Sequence, residues 1–313
     1  MSYFDKKRKH LLHLLNIPME QTKIFKKDYV GAGLYKIIKR LLRYRGKYFK
    51  YMLAKSGITD DKDICVKTFW GKEMTLPLLD EDSRSIYLFG TLGWEEQRLI
   101  KFFIKNFKKN DIFFDIGANY GFYSILAQEI INNGEIHIFE PNPKTFNYLK
   151  NSFLKNKKGV FLNKMALSNK IGEIDFYDGS PGIHSGQSTI LKKIALSSPL
   201  KYQRIKVAST TLDNYITTHS IPTIIKIDVE GAEKNVIEGG LNVLKNTNPI
   251  LAMEVHGTNT EGYLSVIACK KLYNIGYKPY VITENGNLQP INKKYLGELL
   301  NNQVGYGNFI FIK

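Results

Sequence analysis

Between Asp115 and Gly121 the chain reads Asp-Ile-Gly-Ala-Asn-Tyr-Gly, where an apolar strand stops and a helix begins. In an open α/β sheet that junction faces the ligand crevice at the carboxyl ends of the strands. Gly117 admits a sharp turn with unusual dihedrals, and Gly121 lets the helix start lie close to a ligand. Asp115 and Asn119, with Ala118 between them, offer an acceptor and a mixed donor–acceptor for the amino-acid end of a cofactor. One βα unit later Glu140 closes the strand in IHIFEPNP, with Pro141 and Asn142 beside it. An acid some twenty residues beyond a glycine turn accepts hydrogen bonds from ribose hydroxyls. A dinucleotide needs G-x-G-x-x-G, whose backbone amides hold a pyrophosphate. Here Asn119 stands between Gly117 and Gly121. The spacing favours a nucleoside cofactor with no phosphate to cradle, S-adenosyl-L-methionine.

A second group of acids follows in IDVEGAE (Asp228, Glu230, Glu233) and PILAMEVHG (Glu254, with His256). Asp228 ends a strand and faces the same crevice. Glu254 and His256 alternate to one side of the next strand, and His256 has the intrinsic pKa of a general base. The expected catalytic residues are therefore His256, Glu254 and Asp228, with His184 an alternative reaching in from a polar loop. Glu233, in a first helical turn, suits the helix dipole. No pair has metal-ligand spacing, so no metal is expected, although Asp228, Glu254 and His256 have the chemistry to meet around Mg²⁺ or Mn²⁺. His137 lies within a strand and reads as core.

Positioning these residues requires strands alternating with helices, which begin at Trp94. EEQRLIKFFIKNF, YGFYSILAQEII and PKTFNYLKNSF read as helices, the second closed by Asn132, Asn133 and a left-handed Gly134. DIFFDIG, EIHIFE, GVFLNKMAL, TIIKIDV, PILAMEV, KPYVIT and GNFIFIK read as strands, the last two able to pair antiparallel. EIDFY and QRIKVAS read as a strand pair around a polar excursion. The expected organisation is a basic, mainly helical extension over 1–60, a short-strand and turn segment over 61–93, and a cofactor-binding domain over 94–313. In the middle segment ICVKTFW, EMTLPLL and SIYLFG read as strands, with DEDSRS a turn. Asn16 and Pro18 read as punctuation in the first.

In order, DIGANYGFYS, IFEPNPKTFNYLKNSF, NKMALSN, STTLDNYI, IIKIDVEGAEKNVIEGG and PILAMEVHG resemble the FkbM family of methyltransferases. The resemblance spans roughly residues 90–257 and more loosely reaches 313. It implies a Rossmann-like class I methyltransferase fold, a mostly parallel seven-stranded sheet with helices on both faces. It also implies O-methylation of hydroxyls on sugars or natural products. By this match Asp115, Gly117, Asn119 and Gly121 line the methionine side and Glu140 the ribose. Ala166, Leu167 and Ser168 flank adenine, and Asp228 lies beside the sulfonium. Asn169 departs from the pattern, which commonly has an acid there.

The net charge of +16 is concentrated at the start: residues 1–55 hold fifteen Lys or Arg against Asp5, Glu20 and Asp28. That asymmetry argues for one basic surface, not a nucleic-acid-coated protein, and no nucleic-acid partner is expected. The [DNS]-P-P-[YF] turn of amino-group methylation is replaced by Asp228-Val229-Glu230-Gly231. A nucleic-acid methyltransferase and a non-catalytic nucleotide-binding module are the rival readings. In residues 34–55 cations recur at helical spacing opposite Leu34, Ile37, Leu41, Phe49 and Met52. They read as a helix packed on the domain or resting on an anionic membrane near lipid-linked glycans. No apolar run is long enough to span a bilayer, and the N-terminus lacks a cleavage site, so a cytoplasmic place is expected, peripheral at the inner membrane face if that helix binds lipid. Cys65 and Cys269 match no redox or metal motif and read as buried and inert.

Overall fold

The structure, a computed structural model, describes residues 3–27, 46–59, 63–154, 158–179, 185–255, 260–300 and 307–313. Helix α1 (Tyr3–Lys27) and a helix over residues 46–55 (α2) lead to a hairpin of β1 (Asp63–Lys67) and β2 (Glu73–Pro77). Leu11 and Leu15 of α1, and Tyr51 and Ala54 of α2, are buried in one apolar cluster with Ile64 and Leu76. Contrary to the expected break, α1 continues through Asn16 and Pro18. An interior proline costs about 3 kcal/mol, which burial of the two leucines at about 1.5–3 kcal/mol each offsets. Cys65, expected inside, points outward from β1, whose residues alternate in burial; Cys269 is buried.

The stretch expected as an acidic turn and a strand is instead helix α3 (Glu81–Phe89). Asp80 caps it by accepting from the Asp82 N–H at 3.0 Å, and Gly90 closes it in the left-handed region at φ 72°. A capping Asp, acids in the first turn and a terminal Gly are helix signals, and they override the β-like composition of SIYLFG.

The alternating part begins with α4 (Gln97–Asn106), β3 (Ile112–Ile116), α5 (Phe122–Gln128), β4 (Glu135–Phe139), α6 (Pro143–Ser152) and β5 (Val160–Asn163). α5 ends earlier than expected, and Gly134 is not its left-handed cap. Glycine is required there by close approach, since a Cβ would lie 1.8 Å from the Asp111 carbonyl oxygen. The run GVFLNKMAL, expected as one strand, divides: β5 stays in the main sheet while β6 (Ala166–Leu167) crosses to a small one. There β7 (Gly172–Gly179) pairs antiparallel with β8 (Tyr202–Thr210), with α7 (Lys192–Ser197) in the excursion between them. The chain continues through α8 (Leu212–Tyr215), β9 (Ile224–Ile227), α9 (Glu233–Gly239), α10 (Leu241–Thr247), β10 (Ile250–Val255) and α11 (Thr260–Asn274). It ends with β11 (Lys278–Ile282), β12 (Leu288–Pro290), α12 (Lys293–Leu300) and β13 (Gly307–Ile312).

The main sheet has the order β12-β11-β13-β10-β9-β3-β4-β5. From β5 to β10 the strands are parallel, and β13 runs antiparallel between β10 and β11. This is the expected Rossmann-like architecture, with β12 added as a hairpin partner of β11. Alternate residues feed opposite faces: Phe113, Ile136 and Ile224 join one core cluster, Phe114, Phe139 and Ile225 the other. Strand order reverses between β3 and β9, and such a switch point opens a crevice at the strands' carboxyl ends. No helix among the described residues is long and apolar enough to cross a membrane.

Candidate active site

The turn after β3 is held in left-handed backbone at Gly117 (φ 76°), Asn119 (φ 50°) and Gly121 (φ 81°). At Gly117 a Cβ would lie 1.8 Å from the Asp228 carbonyl oxygen, so the turn after β3 and the end of β9 touch through a glycine. Glu140 ties the turn to β4: its Oε2 accepts from the Asn119 N–H at 2.9 Å and its Oε1 from the Asn142 N–H at 2.8 Å. Burial pushes its carboxyl up to about 8 despite those donors.

Above the turn lies a cleft of about 560 Å³, lined by Gly117, Ala118, Asn119, Glu140, Pro141, Ala166, Leu167, Asp228 and Glu254 among others. The structure brings these sequence-selected residues to one cavity. Four others stand behind it. Gly121 backs onto Leu149, 2.3 Å from where its Cβ would be. Asn142 caps α6 by accepting from the Lys144 N–H at 2.9 Å. Ser168 shares a 2.8 Å hydrogen bond with Ser209. Asp115 lies fully buried under the turn, accepting from the Ser124 hydroxyl at 2.6 Å. His256 and His184 fall outside the described residues. His137 is buried, 2.9 Å from the Tyr215 hydroxyl, and is no part of the cleft. Asn169 bonds Glu238 and Asn235.

Sequence reasoning missed Lys226. Its ammonium lies 2.9 Å from Asp228 Oδ2 and 3.8 Å from Asp115 Oδ1, and 5.3 Å from the centre of the Tyr123 ring. Burial works against the ammonium, but the two carboxylates hold its pKa above the ordinary value. Burial likewise raises the Asp115 carboxyl, and Lys226 opposes that. A lysine inside the apolar run IIKI, in parallel register with Asp115, was the available signal, because a buried charge requires a partner. Glu96 was also missed: it accepts from the Tyr123 hydroxyl at 2.5 Å and the Asn308 amide at 3.1 Å.

At the far side of the cleft Asp228, Glu230 and Glu254 each bring a carboxylate oxygen within 4.8 Å of the others. Glu230 holds a left-handed backbone (φ 50°). Burial first, then Glu254 and Asp228, pushes its carboxyl well above the ordinary range. Such crowding favours a proton shared within the group. Glu233 instead closes its own turn, Oε1 accepting from the Gly231 N–H at 3.1 Å and Oε2 from the Ser265 hydroxyl at 3.1 Å.

A family model described as the methyltransferase FkbM domain matches residues 115–279. The hexuronic acid methyltransferase AglP of Haloferax volcanii is 25% identical over 222 residues, 70% of this chain and 83% of that protein. The 31-O-demethyl-FK506 methyltransferase FkbM of Streptomyces tacrolimicus is 24% identical over 156 residues, 42% of this chain and 60% of that protein. The crystal structure of a methyltransferase FkbM from Methylobacillus flagellatus KT aligns with a TM-score of 0.41 at 12% identity, covering 66% of this chain and 44% of that one. S-adenosyl-L-methionine as the cofactor is consistent with the family match and with the cleft. The matched segment spans more than half of the chain, from the turn at Asp115 into β11, and the chain belongs to the FkbM family of methyltransferases.

Proposed function

We propose that the chain is an S-adenosyl-L-methionine-dependent O-methyltransferase acting on a hydroxyl of a sugar, in a surface polysaccharide or lipid-linked glycan, or of a natural product. The observation that carries this is the division of one cleft between a nucleoside end, at Glu140 and the glycine turn, and an acidic end, at Asp228, Glu230 and Glu254. The donor set fits the cofactor: Glu140 offers acceptors to a ribose diol, and the acids at the other end suit a cationic sulfonium. When bound, the cofactor supplies a methyl group on an activated leaving group.

The remaining work belongs to the chain. Gly117, Asn119 and Glu140 fix the cofactor, and aligning acceptor oxygen, methyl carbon and sulfur is worth about 7–11 kcal/mol. A carboxylate of the Glu230–Glu254 pair takes the hydroxyl proton as the oxygen–carbon bond forms, a step worth about 10²–10⁴-fold. The acceptor's charge follows from the wall. Glu81, Asp82, Glu95, Glu96, Asp228, Glu230 and Glu254 line the cleft, while its lysine, Lys226, is engaged by Asp228 and Asp115. A phosphate brought there meets like charge, which favours a sugar or natural-product hydroxyl over a nucleic acid. The relatives named for hexuronic acid and for 31-O-demethyl-FK506 support a glycan or natural-product acceptor. Comparing O-methylated surface sugars in cells with and without the gene tests this; identical methylation patterns would refute it.

Membrane contact through residues 34–55 is a second proposal, favoured by α2. That helix buries Tyr51 and Ala54, and Lys47 donates to the Tyr87 carbonyl at 3.1 Å, yet Phe49 (56% exposed) and Met52 (44% exposed) face outward. Residues 28–45 lie outside the described ones. Co-sedimentation with anionic liposomes should fall with salt and with Phe49→Ser/Met52→Ser. Equal recovery with neutral and anionic liposomes would end this proposal.

A further inference from the structure

The cleft is closed on one side by residues from the polar excursion between β7 and β8. Ser185 and Gly186 are pinned to the start of α3: the Ser185 N–H donates to Asp80 Oδ2 at 3.1 Å and the Gly186 N–H to Asp82 Oδ2 at 2.6 Å. A few residues on, the Thr189 hydroxyl donates to the Glu230 carbonyl at 2.9 Å. The Ser185 hydroxyl sits at a junction, 3.2 Å from Asp80 Oδ1, 3.2 Å from Asp82 Oδ2 and 3.1 Å from Asn119 Oδ1. It has one proton for these three oxygens, and the Tyr120 hydroxyl is a fourth neighbour.

We propose that Asp82 is a positioning residue for the cofactor turn: through the Ser185 hydroxyl it orients the Asn119 carboxamide and so sets the affinity for the cofactor. This rests on the cofactor assignment above. When Ser185 donates to Asn119 Oδ1, the Asn119 Nδ2 donors are left for the carboxylate of the cofactor's amino-acid end. Asp80 makes little demand on that proton, because the Asp82 N–H, the Ser185 N–H and the Tyr120 hydroxyl already donate to it. Asp82 is the competitor. Protonated, it shares its proton with the Asp80 carboxylate and is a weak acceptor, so the serine proton goes to Asn119; ionised, it draws the serine proton to itself and Asn119 loses its donor.

Burial, with Asp80 beside it, pushes the Asp82 carboxyl up to about 6. The groups around this pair are acids and phenols: Tyr120 on the cofactor turn, Glu230 after β9, Asp178 on β7 and Tyr148 on α6. Cofactor affinity carried by this relay is therefore full below about pH 6 and falls above it. Glu140 acts on the same turn with the opposite sign, gaining acceptor strength as it ionises near pH 8. A comparison of variants is needed to separate the two.

Calorimetric titration of the full chain with S-adenosylhomocysteine, at about pH 5 and about pH 8, makes that separation. Asp82→Asn cannot ionise: with its carboxamide oxygen in the place of Oδ2 it still accepts from the Gly186 N–H and is the same weak acceptor for the Ser185 hydroxyl at every pH. The dissociation constant of the wild type relative to Asp82→Asn should rise about three- to tenfold between the two pH values, the effect of one hydrogen bond. Ser185→Ala should bind weakly at both, with this pH effect gone and Ser185→Thr restoring it. A purely structural role would lower the ligand-free melting temperature of Ser185→Ala and leave the pH effect intact. A constant ratio between wild type and Asp82→Asn overturns the proposal. Wild-type protein that binds no S-adenosylhomocysteine at either pH overturns the cofactor assignment itself.

Discussion

Replacing Lys226 by methionine keeps most of the side chain's length and removes its charge from between two carboxylates. Lys226 and Asp115 expose 4% and 1% of their side chains, and Asp228 exposes 31%. Removing one partner of a buried pair costs about 3–5 kcal/mol, because the other charge stays desolvated. Asp115 keeps the Ser124 hydroxyl at 2.6 Å and Asp228 reaches solvent, so the lower end, about 3 kcal/mol, applies. Against a total of about 5–15 kcal/mol that is a large fraction. It corresponds to roughly 6–12 °C in Tm at about 2–4 °C per kcal/mol. The sign with pH follows from Asp115, whose carboxyl is already raised by burial and rises further without Lys226. The folded variant favours its protonated form, so the deficit grows as pH climbs above the ordinary carboxylate value of 3.8. Thermal unfolding across that range reads both effects. The paired variant Asp115→Asn/Lys226→Met should recover most of the loss. Wild-type stability in Lys226→Met, or no recovery in the pair, would refute the charge balance described for this core.

Glu140 carries a folded-state pKa of about 8 against an ordinary 4.5, so its ionisation opposes folding increasingly between those values and fully above the higher. Ligand-free Glu140→Gln should therefore gain stability over the wild type as pH rises through that window, while losing S-adenosylhomocysteine affinity; parallel stability curves would contradict this. Gly117→Ala places a Cβ 1.8 Å from the Asp228 carbonyl at a left-handed φ. It should lower both Tm and cofactor affinity, and a variant neutral in both would show that the contact between the two turns is not needed. Glu254→Gln and Glu230→Gln should reduce kcat far more than cofactor affinity, because the base proposed here acts on the acceptor. Unchanged turnover in both would place the base elsewhere, or show that none is required.

The parts of the fold written in local periodicity were legible in the sequence. Glycine turn, following acid and alternating apolar runs located β3, β4, β9 and β10 and the crevice at their ends. SIYLFG reads as a strand by its β-like residues, yet the Asp80 cap and the Gly90 stop decide it for helix. Residues that act at a distance were harder. Asp115 reads as a ligand-facing carboxylate, yet its place under the turn depends on Lys226, over a hundred residues away in sequence. The Asp80–Asp82–Ser185–Asn119 relay joins three segments with no shared motif, and only tertiary packing assembles it. Asp228 and Glu254 were found because strand ends of a doubly wound sheet converge by topology. Glu230 was passed over because its left-handed backbone, not its sequence position, turns it into the group.

The central claim is methyl transfer from S-adenosyl-L-methionine to a neutral hydroxyl. It is tested most directly by incubating the purified chain with trideuteromethyl-labelled S-adenosyl-L-methionine and a glycan extract from the source cells. Mass spectrometry and NMR of the product then locate the label. Labelled methyl ethers on sugar hydroxyls are expected, and lost in Glu140→Gln. Label found as methyl esters of uronates or on RNA, or no transfer from a protein that binds the cofactor, would contradict it.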